Sequence, residues 1–327
     1  MQEVLSTLPQ VLIDGLILGA VYAVVALGYT MVYGILELIN FAHGEIFMVG
    51  AFIGTAALLS FQTAGLLGAM PLWLSLLIVI LISSLLTGLL GVGIERLAYR
   101  PLRTAPKLIP LISAIGISFL LQDIVRFIAE LKTGNYIVTG PSLYVEKITI
   151  PFSSLWGGFH DVGFKANSLI VIGVAILIMI GLDLFVNKTK WGIAMRAVAQ
   201  DRETAQLMSI NVNKVIALTF FIGSSIGGAT GVLYAQQYST IDPFIGFILG
   251  LKAFTAAVLG GIGNIRGAMF GGLVIGMLEV FAASNLKVLT GGALGAEYKD
   301  VFAFMILILV LLFKPEGLFG QAVKEKV

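Results

Sequence analysis

The chain has 327 residues, 58% of them hydrophobic and 12% charged, with a net charge of +2 and a mean hydropathy of +1.01. Soluble domains carry about 25% charged residues, so a water-soluble globular class is excluded, and a transmembrane barrel would show short alternating strands instead. No cysteine is present, which excludes disulfides, thiolate metal sites and thiol nucleophiles. No metal and no nucleic-acid partner is expected.

What remains is an all-α polytopic membrane protein. Near-uncharged runs at residues 11–36, 72–94, 168–186, 215–235 and 301–313 read as membrane segments, each to be weighed against the roughly 20 residues that a crossing needs. The first basic residue is Arg96, so the N-terminus lacks the positive region of a cleavable signal peptide, and the first run reads as a retained span. It is followed by "LELINFAHGEIFMVGAF", residues 36–52, which places Glu37, Asn40, His43 and Glu45 between two apolar stretches. Ionisable groups at membrane depth are costly and mark a pathway or a buried pair. A helix broken at that depth must face protein or a watery cavity. The other reading is a short turn between two ordinary spans.

After residues 72–94 comes "ERLAYRPLRTAPK", with Arg96, Arg100, Arg103 and Lys107. Residues 188–214 add Lys190, Arg196 and Arg202, and the tail holds Lys314, Lys324 and Lys326. The positive-inside rule makes these cytoplasmic, with the C-terminus inside. The mixed-charge segment 131–167 is then an extracytoplasmic loop, and its fragments "NYIVTG" and "YVEKITIPF" read as short extended pieces. On the same alternation, about eight to nine transmembrane or re-entrant helices form one integral domain over residues 1–327, with the N-terminus outside.

A second interruption follows residues 215–235. Asp242-Pro243 stops a helix, because proline lacks an N–H and restricts the residue before it. Residues 244–259 are short for a span, and "GGIGN" opens the next helix. Two interrupted apolar pieces point to broken helices near the centre, beside a transport pathway. Glycines at helical spacing, Gly223/Gly227/Gly231 and Gly263/Gly267/Gly271, with Gly15/Gly19 and Gly50/Gly54, read as close helix packing. Lys252 and Glu279 read as a buried pair between segments. Asp123 and Arg126, three apart, suit one helix face. Trp73, Trp156 and Trp191 read as interface anchors.

In residues 188–213, Asp201 suits the N-cap of a short helix and Glu203 its first turn. Ala205, Leu207 and Met208 could form a small apolar contact. A short helix here could be a lever for an attached motor, or could lie on the headgroups.

Three motifs carry a resemblance: "VYGILELINFAHGEIFMVGAF", "MRAVAQDRETAQLMSINV" and "AFTAAVLGGIGNIRGAMFGGLVIGMLE". Together they resemble the branched-chain (hydrophobic) amino acid permease family of bacterial ABC importers, over nearly the whole chain. One departure is Arg266, where the family's glycine-rich motif often has proline. The resemblance implies a multi-pass protein of the bacterial inner membrane, carrying branched-chain or hydrophobic amino acids. It implies a second permease, two cytoplasmic ATPase subunits and a periplasmic solute-binding protein. Asp201, Arg202, Glu203, Thr204 and Ala205 would form the coupling helix. Asn40, Phe41, His43, Gly44 and Glu45 would line or support the translocation pathway; Lys252, an isolated charge in an apolar segment, is assigned to the same pathway. ATP and Mg would belong to the ATPases. The chain has no GxxxxGK[ST] phosphate loop, and no Gly-Lys dipeptide at all, so it is not expected to be an enzyme. A urea or short-amide permease fits the same architecture. A stand-alone channel or ion-coupled carrier using His43 is a different class. For an intramembrane enzyme, His43 and His160 lie far apart and no HExxH occurs.

Overall fold

The structure is a computed structural model that describes residues 2–320 apart from 37, 104, 107, 156 and 157. Glu37, Lys107, Trp156, Lys324 and Lys326 therefore lie outside the described residues.

The helices in chain order are α1 (Gln2–Leu36), α2 (His43–Thr63), α3 (Leu66–Ala69), α4 (Leu72–Ile94), α5 (Leu108–Thr133), α6 (Phe152–Leu155) and α7 (Ala166–Lys188). They continue with α8 (Lys190–Gln200), α9 (Arg202–Leu207), α10 (Val212–Tyr238), α11 (Ile245–Gly260), α12 (Ile265–Leu289) and α13 (Lys299–Phe313). A π-turn at Glu95–Tyr99 and a 3-10 turn at Arg100–Leu102 prolong α4. Among the described residues, seven helices (α1, α2, α4 with its extension, α5, α7, α10 and α12) are long and apolar enough to cross a membrane. The chain is a multi-pass membrane protein. At 16 residues, α11 reaches only about 24 Å, short of the hydrocarbon core of about 30 Å. The run 301–313 belongs to α13, a helix of 15 residues, and is also short for a straight crossing.

Contact register fixes the directions of travel. Gly19 of α1 meets Gly276 of α12 and Ala23 meets Gly272, so these two helices are antiparallel. Gly91 of α4 meets Ser224 of α10 and Gly88 meets Ser225, again antiparallel. Gly50 and Gly54 of α2 meet Gly228 and Val232, so α2 runs parallel to α10. The bundle has two faces. One, the basic face, holds Arg96, Arg100, Arg103 and the α8–α9 segment. The other, the loop face, holds residues 134–155 and 158–165. There β1 (Val138–Thr139) pairs antiparallel with β4 (Thr240–Ile241), and β2 (Lys147–Ile150) with β3 (Val162–Lys165). The two extended fragments read from the sequence contain β1 and β2. His160 is exposed in this loop.

Glycine lets these backbones meet where water cannot drive association. A Cβ on Gly231 would stand 2.3 Å from the Phe47 carbonyl, and one on Gly228 2.1 Å from Thr87 Oγ1. The Gly263/Gly267/Gly271 series differs from expectation. Gly267 and Gly271 lie in α12 against Gly260 and Ala256 of α11, whereas Gly263 sits in the turn before α12 at φ +91°. That left-handed backbone ends the preceding connection instead of packing a helix.

Candidate functional site

The site begins where α1 stops. His43, the first residue of α2, stands between Gly28 and Gly227, and Gly227 is about 22 Å along α10 from its basic-face end. The chain thus leaves α1 at Leu36, turns back through residues 38–42, and starts α2 near mid-depth. This is a re-entry and not a turn at the membrane edge. Asn40 makes the turn: its carbonyl accepts from His43 N at 3.0 Å, and its Oδ1 accepts from the Tyr99 hydroxyl at 2.7 Å. Asparagine favours such local turns because its side chain competes with the backbone ladder.

His43 is buried, with the Tyr29 ring edge-on at a centroid distance of 4.8 Å. Its ring faces the Val25 carbonyl without closing a hydrogen bond of ordinary geometry at either nitrogen. Gly44 is the crossing point with α11: a Cβ there would lie 2.3 Å from the Gly246 carbonyl and 2.8 Å from Gly250 Cα. The Tyr29 hydroxyl reaches the Gly44 backbone. Glu45 is fully buried in the first turn of α2, where a carboxyl group complements the helix dipole. Its Oε1 accepts from Ser118 Oγ at 3.0 Å and Gln122 Nε2 at 2.7 Å, both on α5. Its Oε2 has no hydrogen-bond partner and abuts Gly246. A buried carboxyl oxygen without a donor is costly.

Beside the break lies a cavity of about 340 Å³, walled by Tyr29, Phe41, Ile115, Phe119, Phe247 and Leu251, with Ser118 on its edge. Phe41 closes one side, its ring 5.8 Å from Phe254. The cavity is apolar, and the Glu45 carboxyl sits behind Ser118. It can hold a hydrocarbon side chain near a polar anchor. Tyr29, Ser118, Phe119 and Gln122 belong to this site and went unseen in the sequence, because α5 approaches α2 only in the folded chain.

Lys252 does not join this cavity. It is buried on α11 in a second cluster, 2.7 Å from Glu279 Oε1 and 2.7 Å from Asp300 Oδ1. Lys299 Nζ stands 2.9 Å from Glu279 Oε1, and the Tyr22 hydroxyl donates to Glu279 Oε2 at 2.7 Å. Tyr22, Lys252, Glu279 and Lys299, with Tyr234 and Tyr238, line a separate cavity of about 260 Å³. The arrangement ties α11, α12 and α13 together.

On the basic face, Asp201 caps α9 by accepting from Glu203 N and Thr204 N. Arg202 points inward and donates to the Ile35 and Leu36 carbonyls at 3.1 and 3.0 Å, closing the C-terminal end of α1. Glu203 and Thr204 are exposed and Ala205 is buried. Leu207 and Met208 do not pack with Ala205: they are 84% and 73% exposed, and Ser209 at φ +63° ends the helix beyond them. Glu95 draws in Arg100 and Arg103, and burial pulls the Arg103 pKa below its ordinary value, against the opposing effect of Glu95. Arg266 pairs with Asp183 of α7 through two contacts of 3.2 Å at the start of α12. Arg126 pairs with Glu130, one turn on, and not with Asp123. The run Gly223-Ser224-Ser225-Ile226-Gly227 has GxSxG spacing, but it lies inside α10 without the strand-to-helix turn a nucleophile needs, and Ser225 faces Gly88. Among the described residues no group of three or more His, Asp or Glu side chains could hold a metal ion.

Comparison with known proteins agrees in extent with this architecture. The chain is 44% identical over its full length, and over the full length of the relative, to the high-affinity branched-chain amino acid transport system permease protein BraD of Pseudomonas aeruginosa. It is 41% identical to the LivH permease protein of Escherichia coli, covering 97% of each chain. Similarity at 28% identity extends to a probable branched-chain amino acid transport permease protein LivM of Methanocaldococcus jannaschii, over 46% of each chain. The family model for the branched-chain amino acid transport system / permease component matches residues 11–311, and the chain belongs to that family.

Proposed function

We propose that the chain is the membrane-spanning permease subunit of an ATP-driven importer for branched-chain or similar hydrophobic amino acids, and forms half of the translocation pathway. The observation that carries this reading is the end-to-end likeness to permease proteins of branched-chain amino acid transport. The site supports the same substrate class. An apolar cavity of about 340 Å³ suits a branched hydrocarbon side chain, and the Glu45 carboxyl behind its edge suits the ammonium group of an amino acid.

In this reading the basic face is cytoplasmic by the positive-inside rule, the loop face is periplasmic, and the membrane is the bacterial inner membrane. Two permeases, this chain and a related second one, enclose the pathway. A periplasmic solute-binding protein delivers substrate at the loop face. Two ATPase subunits, which hold ATP and Mg, dock at α9. Their closure pushes on α9, and Arg202 passes the push to the end of α1 and so to the break before His43. Alternating access then follows from rocking of the permeases around a shared cavity.

Affinity purification from the native membrane, with the bound proteins identified by mass spectrometry, tests the assembly. Two ATPases and a second permease are expected, together with ATP-dependent leucine uptake once the complex and binding protein are in vesicles. A chain recovered alone that conducts solute by itself would overturn the importer in favour of a channel or carrier. Uptake of urea or acetamide with no uptake of leucine, isoleucine or valine would transfer the same machinery to amides.

A further inference from the structure

On the basic face, away from the break, a crevice of about 750 Å³ opens between the ends of α4 and α7, with α8 at its rim, the first turns of α10 as its floor and Asn211, in the connection from α9, at its edge. Its mouth carries Arg96, Arg100 and Lys214, and its inner wall is Leu218, Phe221 and Ile222. From Lys214 to Ile222 is about 12 Å along the helix, so one cavity is cationic at the membrane edge and apolar at membrane depth. Arg100 is committed to Glu95 at 2.9 Å. Arg96 and Lys214 are exposed and have no carboxylate partner among the described residues. Trp191, 48% exposed, stands at the rim, where an indole ring marks the headgroup level.

Leu85 and Leu89 on α4 and Leu177, Ile180 and Leu184 on α7, the two helices that bound the crevice, are exposed. A soluble anion would satisfy the mouth and leave the apolar wall uncovered. A docked soluble domain would stay outside the membrane and leave it uncovered as well. An amphiphile with an anionic head and a hydrocarbon tail satisfies both ends. We infer that this crevice binds an anionic phospholipid, its phosphate on Arg96 and Lys214 and one acyl chain along Leu218 and Phe221. Basic pockets between membrane helices on the side of the anionic leaflet are suited to such headgroups. The inference rests only on the chain spanning a membrane, not on what it transports.

The test uses the assembled complex in nanodiscs of equal phosphatidylglycerol and phosphatidylcholine, released into the gas phase to weigh the lipids that remain bound. One phosphatidylglycerol per chain is expected, in preference to phosphatidylcholine. Arg96→Gln with Lys214→Gln should weaken that preference by about 25-fold, about fivefold for each cation removed. Ala217→Phe, which fills the crevice and leaves the cations in place, should abolish retention while the complex stays assembled. Equal retention of the two lipids, or retention unchanged in both variants, would overturn the inference. Displacement by inorganic phosphate alone would reassign the mouth to a soluble anion. Loss of the ATPase subunits from the Arg96→Gln/Lys214→Gln complex with lipid preference intact would make those cations a subunit contact.

Discussion

His43 occupies the space that a side chain on Gly28 would need: a Cβ built at Gly28 would lie 2.0 Å from the imidazole Nε2. The same ring is 3.6 Å from a Cβ on Gly227, an ordinary contact. The two glycines that seat the first residue of α2 are therefore unequal. Gly28→Ala forces the ring off its position and should destabilise the purified complex by about 1–3 kcal/mol, the usual cost of overpacking. Gly227→Ala should cost much less. Thermal unfolding in detergent distinguishes them, and Gly28→Ala combined with His43→Ala should recover most of the loss. If the double variant is no more stable than Gly28→Ala alone, the seat does not work as described.

The ion cluster on α11, α12 and α13 gives a graded expectation. Lys252 contacts both Glu279 and Asp300, whereas Lys299 contacts Glu279 alone and is partly exposed. Breaking a buried pair leaves an uncompensated charge, at a cost of about 3–5 kcal/mol. Lys252→Met should approach that cost, softened by Lys299, and Lys299→Met should stay well below it. Adding Glu279→Gln to Lys252→Met should restore part of the stability, because the stranded carboxylate is gone. Equal losses for the two lysine variants would mean that the cluster is solvated in the membrane.

The α9 segment separates two roles that look alike in the sequence. Arg202 faces inward to the end of α1, while Glu203, Leu207 and Met208 face out. Leu207→Asp with Met208→Asp should strip the ATPase subunits from the complex and leave the permease fold intact. Arg202→Glu should keep the subunits bound and uncouple them, with ATP hydrolysis persisting and uptake falling by at least tenfold. Co-purification and an ATPase assay on the same samples decide the matter. Retention of the ATPases by the double variant would move the docking surface elsewhere.

Much of this organisation is legible in the sequence. Apolar run length marked α1, α4, α7 and α10, Asp242-Pro243 the stop before α11, and Asp201 the cap of α9, because each depends on residues close in the chain. The pairing of Lys252 with Glu279 followed from the cost of a lone charge in lipid. What depended on three-dimensional approach was hidden. Nothing in the chain announces that Ser118 and Gln122 of α5 reach Glu45, or that α13 brings Asp300 to Lys252. Periodicity also misled at Gly263, where the spacing fits a helix but the backbone turns. It misled again at Arg126, where Glu130 competes better than Asp123 for the same guanidinium. Lys252, an isolated charge in an apolar segment, reads as part of the pathway, and only the folded chain, where it faces Glu279 and Asp300, separates it from the break.

Glu45 offers the sharpest separation of structure from use. If its carboxyl served only to hold α2 against α5, an amide would do as well. Glu45→Gln keeps an oxygen for Ser118 and Gln122 to donate to, and it replaces an unpartnered carboxyl oxygen with a neutral group that is cheaper to bury. The variant should therefore fold with equal or greater stability. If the carboxyl receives the ammonium group of the passing amino acid, the same variant should lose uptake by tenfold or more, since a charge-assisted contact is roughly twice as strong as a neutral one. Glu45→Ala controls for the scaffold: it strands the Ser118 and Gln122 donors and should lower stability by about 1–3 kcal/mol. The two readouts are the unfolding temperature of the complex and initial rates of leucine uptake in vesicles with the wild-type binding protein and ATPases. A stable Glu45→Gln complex that transports at the wild-type rate would reduce Glu45 to a structural residue, and leave the apolar walls around Tyr29 and Phe247 as the whole of the site.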